Sequence, residues 1–261
     1  MNRRADLVLK AVAGLVLLYL FIPVAVIVAF SFNEPAGKFN FTWNRFTLDA
    51  WRDPLRFPGL ADALGNSLRV AAVSTAVAVV LGSMIALALI RYRYRASGAV
   101  DLFLVLPLTT PEVVIGSALL TLFLDLGTPL GFWTIVLAHI MFQISFVALT
   151  VKARLRGFDW SLIDAAADLG AGPWRTFRTV TFPLILPGIV AAALLSFAIS
   201  LDDYVITVFN AGTTVTYPLF VDAAQRSAYP PQINVLATVI LVVSLTLVGA
   251  AGLWQRRRQA G

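Results

Sequence analysis

The chain predicts an all-α integral membrane protein of six spans, built as a single transmembrane domain over residues 1–261, and three observations carry that prediction. Hydrophobic residues make up 59% and charged residues only 13% of the chain, with a mean hydropathy of +0.84, too apolar for water to be its main solvent. A bilayer core of about 30 Å needs roughly 20 apolar residues in a helix. Stretches of that size fall at approximately 11–31, 70–90, 102–124, 132–151, 184–209 and 235–254.

The third observation is where lysine and arginine sit. Arg3, Arg4 and Lys10 precede the first span, and Arg91, Arg93 and Arg95 follow the second. Lys152, Arg154, Arg156, Arg175 and Arg178 separate the fourth from the fifth, and Arg256, Arg257 and Arg258 close the chain. Six spans put all of these on one face, which the charge bias of membrane proteins makes the cytoplasmic one, with both termini inside. The other face keeps Lys38, Arg45, Arg52, Arg56, Arg69 and Arg226, mostly on one long loop that weighs little in the rule. A net charge of +6 and a pI near 10.1 are therefore explained by topology, and nucleic acid is not expected as a partner.

Taken in order, the first span is too long for an ordinary signal-peptide core and is read as a retained helix. The loop from Asn33 to about Asn66 carries Trp43, Phe46, Trp51 and Phe57. It either lies along the outer headgroup boundary or is a solvated loop. The third span is interrupted by Pro107, Pro111 and Glu112, and the fifth ends near Asp202 and Asp203. Between the third and fourth, Asp125 to Gly131 is a short Gly- and Pro-rich turn, predicting adjacent antiparallel helices.

Residues 152–183 form the one sizeable polar segment on the basic side. Trp160 to Leu169 reads as a short helix capped by Ser161, ended by Gly170, Ala171 and Gly172. A second short helix starts at Pro173, suited to a first helical turn, and runs to about Thr181. Together they make a knob whose Leu162, Ile163, Leu169, Trp174, Phe177 and Val180 meet either lipid headgroups or a groove on a partner. The chain has no cysteine, which excludes disulfides, Cys-based zinc sites and thiol catalysis.

Within this knob Asp164, Ala165 and Ala166 are followed by Gly170 after three residues, and by Val180, Thr181, Phe182 and Pro183 after nine more. The pattern resembles the cytoplasmic signature of the membrane-spanning subunits of bacterial binding-protein-dependent ABC importers, Glu-Ala-Ala, three residues, Gly, nine residues, Ile-x-Leu-Pro. Asp stands for Glu, Val for Ile and Phe for Leu. Over nearly the whole chain the resemblance is to the second permease of spermidine and putrescine importers, the PotC-like branch. It runs through Ser31 to Asn33, Arg91 to Arg95, Pro111 to Val114, Leu130 to Trp133, Arg154 to Asp159, Ser200 to Asp203, and Pro231, Ile233, Asn234 and Leu236 to Thr238. Residues Asn210 to Tyr229 match it less well.

The resemblance implies the type I ABC importer transmembrane fold, with a coupling helix between spans 4 and 5 that inserts into a cleft of an ATPase subunit. Asp164 would orient that helix, Gly170 would permit the turn, and Pro183 would begin the next span. It implies as partners a homologous second permease, two ATPase copies, an extracytoplasmic binding protein and membrane lipid, in a bacterial cytoplasmic membrane. No cofactor is expected on this chain, ATP and Mg being used by the ATPase. Gly37-Lys38 is followed by Phe39, and position 32 is phenylalanine, so the Gly-rich phosphate cradle of a P-loop is missing and the chain is expected to be a transport subunit, not an enzyme.

Transport residues are sought among acids in apolar surroundings. An ionised carboxylate near mid-membrane costs on the order of 3 kcal/mol, so Glu112 is expected to face a cavity or a partner, with Pro107 and Pro111 loosening the helix before it. A structural carboxylate paired with a neighbouring helix is the alternative. Asp202 and Asp203, with Tyr204 beside them, suit a polyamine, whose separated amines match carboxylates and aromatic faces. Both aspartates can instead cap helices, or the two can divide these jobs. His139 and Gln143, four apart, are assigned no role. Related importers of aminophosphonates, opines or thiamine, and a self-sufficient secondary carrier or channel, remain alternatives to a polyamine importer.

Overall fold

The computed structural model describes residues 3–91, 95–156 and 159–260. Arg93 of the basic set, and Gly157 and Phe158 of the family resemblance, lie outside them. The chain divides into two compact units, residues 1–61 with 220–246 and residues 62–219 with 247–261.

In the first unit α1, Arg3–Phe30, carries the apolar stretch Leu7–Phe30, none of which is buried within the chain. The loop after it is ordered. Strands β1, Asn33–Glu34, and β2, Arg45–Phe46, pair antiparallel, and Arg45 bridges Glu34 at 2.6 Å. Buried Asn33 organises the turn: its amide donates to Asn40 Oδ1 (2.7 Å) and to the Thr42 carbonyl (2.9 Å), and its Oδ1 accepts from Asn44 N–H (2.8 Å). Such a side chain replaces backbone partners that so short a hairpin cannot supply. Phe32 stacks between Phe46 (5.7 Å) and Trp51 (5.3 Å), Trp51 lying in the one-turn helix α2, Asp49–Arg52. These aromatics pack on one another, and Trp43 meets Phe30 edge-on at 6.2 Å, while Phe46 and Trp43 keep their outer faces exposed.

The second unit is built around α3, Leu60–Arg91, α4, Ser97–Thr109, α5, Glu112–Asp125, and α6, Phe132–Leu155. Then come α7, Ser161–Asp168, the single turn α8, Pro173–Thr176, a π-helical turn Phe177–Thr181, and α9, Phe182–Asp202. Short α10, Val205–Asn210, follows, whereas most of α11, Tyr217–Ser227, and the first half of α12, Pro231–Ala260, belong to the first unit. The central helix is α6. Its Val147, Val151 and Leu155 pack with Ala78 and Ala86 of α3 and Ile185 and Ala192 of α9. Toward its other end, Ile135 and Val136 meet Val70 and Ala211. At Gly82 a Cβ would lie 2.8 Å from Val147 Cβ and 3.0 Å from the Ala148 nitrogen, so α3 and α6 approach this closely only because position 82 has no side chain.

Three predicted elements are corrected. The third span, placed at 102–124, is broken: α4 and α5 meet at 104°, because Pro111 lacks an N–H and drives Thr110 to an extended ψ of 134°. The sharp break also sends α5 mainly against α10, while α4 rather than α5 packs along α6. The fifth span, placed at 184–209, starts earlier and stops at Asp202, since Asp203 is extended (ψ 117°). The second short cytoplasmic helix does not end before Pro183. Pro173 to Asp202 is one apolar helical run, in which the Phe182 amide reaches the Phe177 carbonyl through the π-turn, the wider register just before a proline that has no amide to give.

Among the described residues Leu7–Phe30, Leu60–Arg91, Phe132–Leu155 and Pro173–Asp202 are long and apolar enough to cross a membrane, and the bent α4–α5 pair adds a fifth if it is one span. Residues Pro231–Thr246 are a shorter apolar stretch of α12.

Candidate functional site

The signature segment folds as a knob. The cap of α7 is not Ser161: the Asp159 carboxylate accepts the Ser161 amide at 3.0 Å, and the Ser161 hydroxyl and amide together hold the Asp159 carboxyl below the usual carboxylate range. Asp164 is exposed in the first turn of α7, where the helix dipole favours an anion. At the other end Gly170 has φ +78°, its amide reaches the Ala167 carbonyl (2.9 Å) and the Ala171 amide reaches Ala166 (2.9 Å). These two bonds close α7 in the Schellman manner, and the left-handed residue they require is the signature glycine.

The knob buries little. Leu169 is 88% and Trp174 72% exposed, and Trp174 stacks on Phe177 at 5.7 Å, so a rigid apolar surface points away from the chain. Behind it a cavity of about 590 Å³ is lined by Met84, Leu87 and Arg91 of α3 and by Trp160, Ile163 and Phe177. The Arg91 guanidinium lies over the Trp160 ring, 5.3 Å from its centroid, and so links the end of α3 to the start of α7. Nearby, Lys152 of α6 pairs with Asp101 of α4.

The acidic candidates separate. Glu112 is the first residue of α5, exposed just past the break at Pro111, where the helix N-terminus favours its charge. Asp202 is exposed in the last turn of α9, at the end where a dipole disfavours an anion, and no ion pair to it is found among the described residues. Tyr204, half-buried, stands at the start of α10.

Asp203 turns inward. Its Oδ2 accepts the Thr207 amide (2.9 Å), the Thr207 hydroxyl (2.8 Å) and His139 Nε2 (3.1 Å), so that it caps α10 from the residue before it. His139, buried in α6, also contacts Thr207 Oγ1 (3.0 Å) through Nε2 and Ser200 Oγ (2.7 Å) through Nδ1. Ser200 meets Ser74 of α3 at 3.2 Å, and Ser74 accepts from Gln143 Nε2 at 3.1 Å.

Counting protons orients this chain. Thr207 spends its only hydroxyl proton on Asp203, so toward His139 it accepts, and Nε2 carries the proton. In the neutral ring Nδ1 accepts from Ser200; Ser74 accepts from Gln143, and its hydroxyl lies 3.2 Å from Ser200 Oγ and 3.4 Å from the Ala71 carbonyl, to which it donates. Each donor has an acceptor, which apolar surroundings demand. Within this hydrogen-bonded chain Gln143 Oε1, at the far end, has no partner among the described residues.

Sequence reasoning gave His139, Gln143, Ser74, Ser200 and Thr207 no role. A signal was present in part: Ser196, Ser200, Asp203 and Thr207 recur at helical spacing in an apolar stretch, as do His139 and Gln143. Nothing in the sequence says that the two faces meet.

The geometry is that of a mainly helical chain with long apolar helices, a broken helix pair, a π-turn and an exposed apolar knob. Comparison with known proteins places it: residues 78–258 match the family described as binding-protein-dependent transport system inner membrane component, and the chain belongs to that family of ABC importer permeases. The chain is 36% identical over 244 residues to the spermidine/putrescine transport system permease protein PotC of Escherichia coli K12, covering 93% of this chain and 92% of that one. To the putrescine transport system permease protein PotI of the same organism it is 37% identical over 232 residues, 85% and 82% of the two chains. In fold it resembles a bacterial ABC transporter that imports alginate (TM-score 0.73, 16% identity, 97% and 96% of the chains) and the MetNI methionine transporter (TM-score 0.62, 19% identity, 76% and 95%). It is a multi-pass membrane protein and a transport subunit rather than an enzyme.

Proposed function

We propose that this chain is one of two homologous permeases of an ATP-driven polyamine importer, carrying spermidine or putrescine delivered by an extracytoplasmic binding protein. Two relatives, similar over more than four-fifths of this chain and named for these solutes, support the substrate class. In this reading the chain is a single transmembrane domain of six spans with both termini cytoplasmic. The α4–α5 pair is the third span and α12 the sixth. The chain binds no cofactor; ATP and Mg belong to two ATPase copies.

The knob from Asp164, Ala165 and Ala166 through Gly170 to Pro183 docks on an ATPase. The observation that carries this is the exposed apolar surface of Leu169 and Trp174 on either side of the turn that left-handed Gly170 allows. Motion there reaches the spans by two routes, the unbroken helix from Pro173 to Asp202 and the Arg91–Trp160 contact. Glu112, Asp202 and Tyr204 face the path, since Glu112 and Asp202 are carboxylates in apolar helices with no ion pair among the described residues, while Asp203 serves it from behind. The test is ATP hydrolysis by the copurified complex with its binding protein. Stimulation by spermidine or putrescine is expected; a copurifying ATPase indifferent to both would overturn the substrate class. Asp202→Asn should lower uptake about tenfold with assembly intact, as loss of a charge-assisted contact predicts.

A further inference from the structure

A single buried imidazole bridges both sides of a helix break. Through Nδ1 His139 holds Ser200 in the last turn of α9 (2.7 Å), and through Nε2 it holds Asp203 (3.1 Å) and Thr207 (3.0 Å), which open α10. Between these contacts lie Asp202 and Tyr204, with no side-chain bond of their own among the described residues. The backbone at the break is extended at Asp203 and returns to helix at Tyr204 (φ −100°, ψ −44°). No proline or glycine falls in residues 199–210, so nothing in the local sequence fixes the angle between α9 and α10. His139 comes from α6, the central helix of its unit, and is itself buried, so it is a firm reference point.

We propose that His139 is a positioning residue for transport: by pinning Ser200 on one side and Asp203 with Thr207 on the other, it sets the α9–α10 break and so aims Asp202 and Tyr204. The proposal rests on the reading of Asp202 and Tyr204 as path residues only for its effect on uptake. Its structural content, the geometry of the break, stands separately. The hydrogen bonds divide the labour. The Asp203 carboxylate would cap α10 without His139, through the Thr207 amide and hydroxyl. Farther along, α10 also meets α6, where Thr134 Oγ1 donates to the Asn210 carbonyl (2.7 Å) and Ala138 packs on Ile206, but among the described residues only His139 bonds the break itself to α6. A glutamine at 139 keeps one N–H to reach Asp203, whereas leucine fills similar space with no donor and leaves Asp203 and Ser200 facing an apolar surface.

The chain has no cysteine, so Tyr204→Cys gives one reporter thiol in this subunit. The whole importer, with its second permease, ATPase and binding protein, is reconstituted in vesicles, and the rate at which a cationic thiol reagent modifies position 204 is followed. His139→Leu should change that rate about tenfold, the loss expected when one partner of a buried hydrogen-bonded group is removed. His139→Gln should restore most of it. A second reporter, Leu126→Cys, at an exposed position after α5, should react at the same rate in all backgrounds. Spermidine uptake, measured without the reporters, should fall with His139→Leu and recover with His139→Gln. An unchanged rate at 204 overturns the proposal, as does a change that glutamine does not reverse. If the leucine variant does not assemble, Ser200→Ala and Thr207→Val each release one side of the bridge, and the same comparison decides. If the reporter moves while Asp202→Asn leaves uptake intact, the positioning role stands and the path assignment falls.

Discussion

The knob and the polar chain are two functional regions built on opposite principles. The knob is contiguous and exposed, with Leu169 and Trp174 on its outside: its parts lie within residues 159–183, and the turn between its two helices needs the left-handed backbone of Gly170. The polar chain is scattered and buried, drawing Ser74, His139, Gln143, Ser200, Asp203 and Thr207 from four helices. The first is suited to contact with another subunit, the second to holding one geometry inside this one. Damage to the knob should therefore break communication and spare the fold, while damage to the chain should alter the fold locally and leave docking alone.

The largest effect separates them most sharply. Gly170→Val puts a β-branched residue at φ +78°, at a cost of about 1–2 kcal/mol, and opens the turn that closes α7. ATPase copurification should fall about tenfold with little change in the thermal stability of the subunit in detergent. Gly170→Asn, a residue that tolerates this conformation and has open space around position 170, should recover much of the loss. A stability loss as large as the docking loss would erase the distinction. Next, a double-mutant cycle between His139 and Asp203 in purified subunit should show coupling of about 1–2 kcal/mol, toward the upper end for hydrogen bonds inside membranes, against about 0.6 kcal/mol for Ser74 with Ser200. Equal couplings would mean that the chain has no centre at His139.

What the sequence made legible follows the same division. The knob was readable because its signals are local: Gly170 stops a helix, Pro173 starts one, and the signature spacing covers twenty residues. The basic residues around it are likewise a local signal, read from positions within a few residues of the apolar stretches. Asp203 was visible as an acid in an apolar stretch, but its partner is 64 positions away, and separation of that kind leaves no local trace. The end of the fifth span was missed because the break at Asp203 has no proline or glycine to mark it, and two other boundaries failed where proline has two outcomes. At Pro111 the chain breaks through 104°, whereas at Pro183 a π-turn absorbs the missing amide and the helix runs on. Which outcome occurs depends on what packs around the helix, and hydropathy does not record that.

A smaller test concerns how the knob speaks to the spans. Arg91 over Trp160 is a partly exposed cation–aromatic contact, worth about 0.5–1 kcal/mol. Arg91→Leu should leave ATPase copurification intact but reduce the stimulation of hydrolysis by substrate about threefold, because the contact joins α3 to α7 without forming the docking surface. Arg91→Lys, which keeps the charge and loses the planar stack, should fall between the two. Equal stimulation in all three would leave the continuous helix from Pro173 to Asp202 as the route that matters, and would narrow the comparison to a knob and one rigid lever.

The smallest effect lies at the very start of the knob. With the Asp159 carboxyl held below its usual range by Ser161, the folded form binds its proton less readily than the unfolded chain does. The cap's contribution is therefore complete at neutral pH and is lost as the medium is acidified through the folded value, with no further change toward alkali. Amide exchange over the first turn of α7 should quicken in acid beyond the intrinsic rate and stay protected above it. Asp159→Asn keeps an oxygen for the Ser161 amide, so it should retain protection and lose the acid sensitivity; Asp159→Ala should lose both. If Asp159→Ala leaves exchange unaltered, α7 is ordered by Gly170 and by packing against Phe177 and Arg91, and its rigidity comes from its C-terminal end alone.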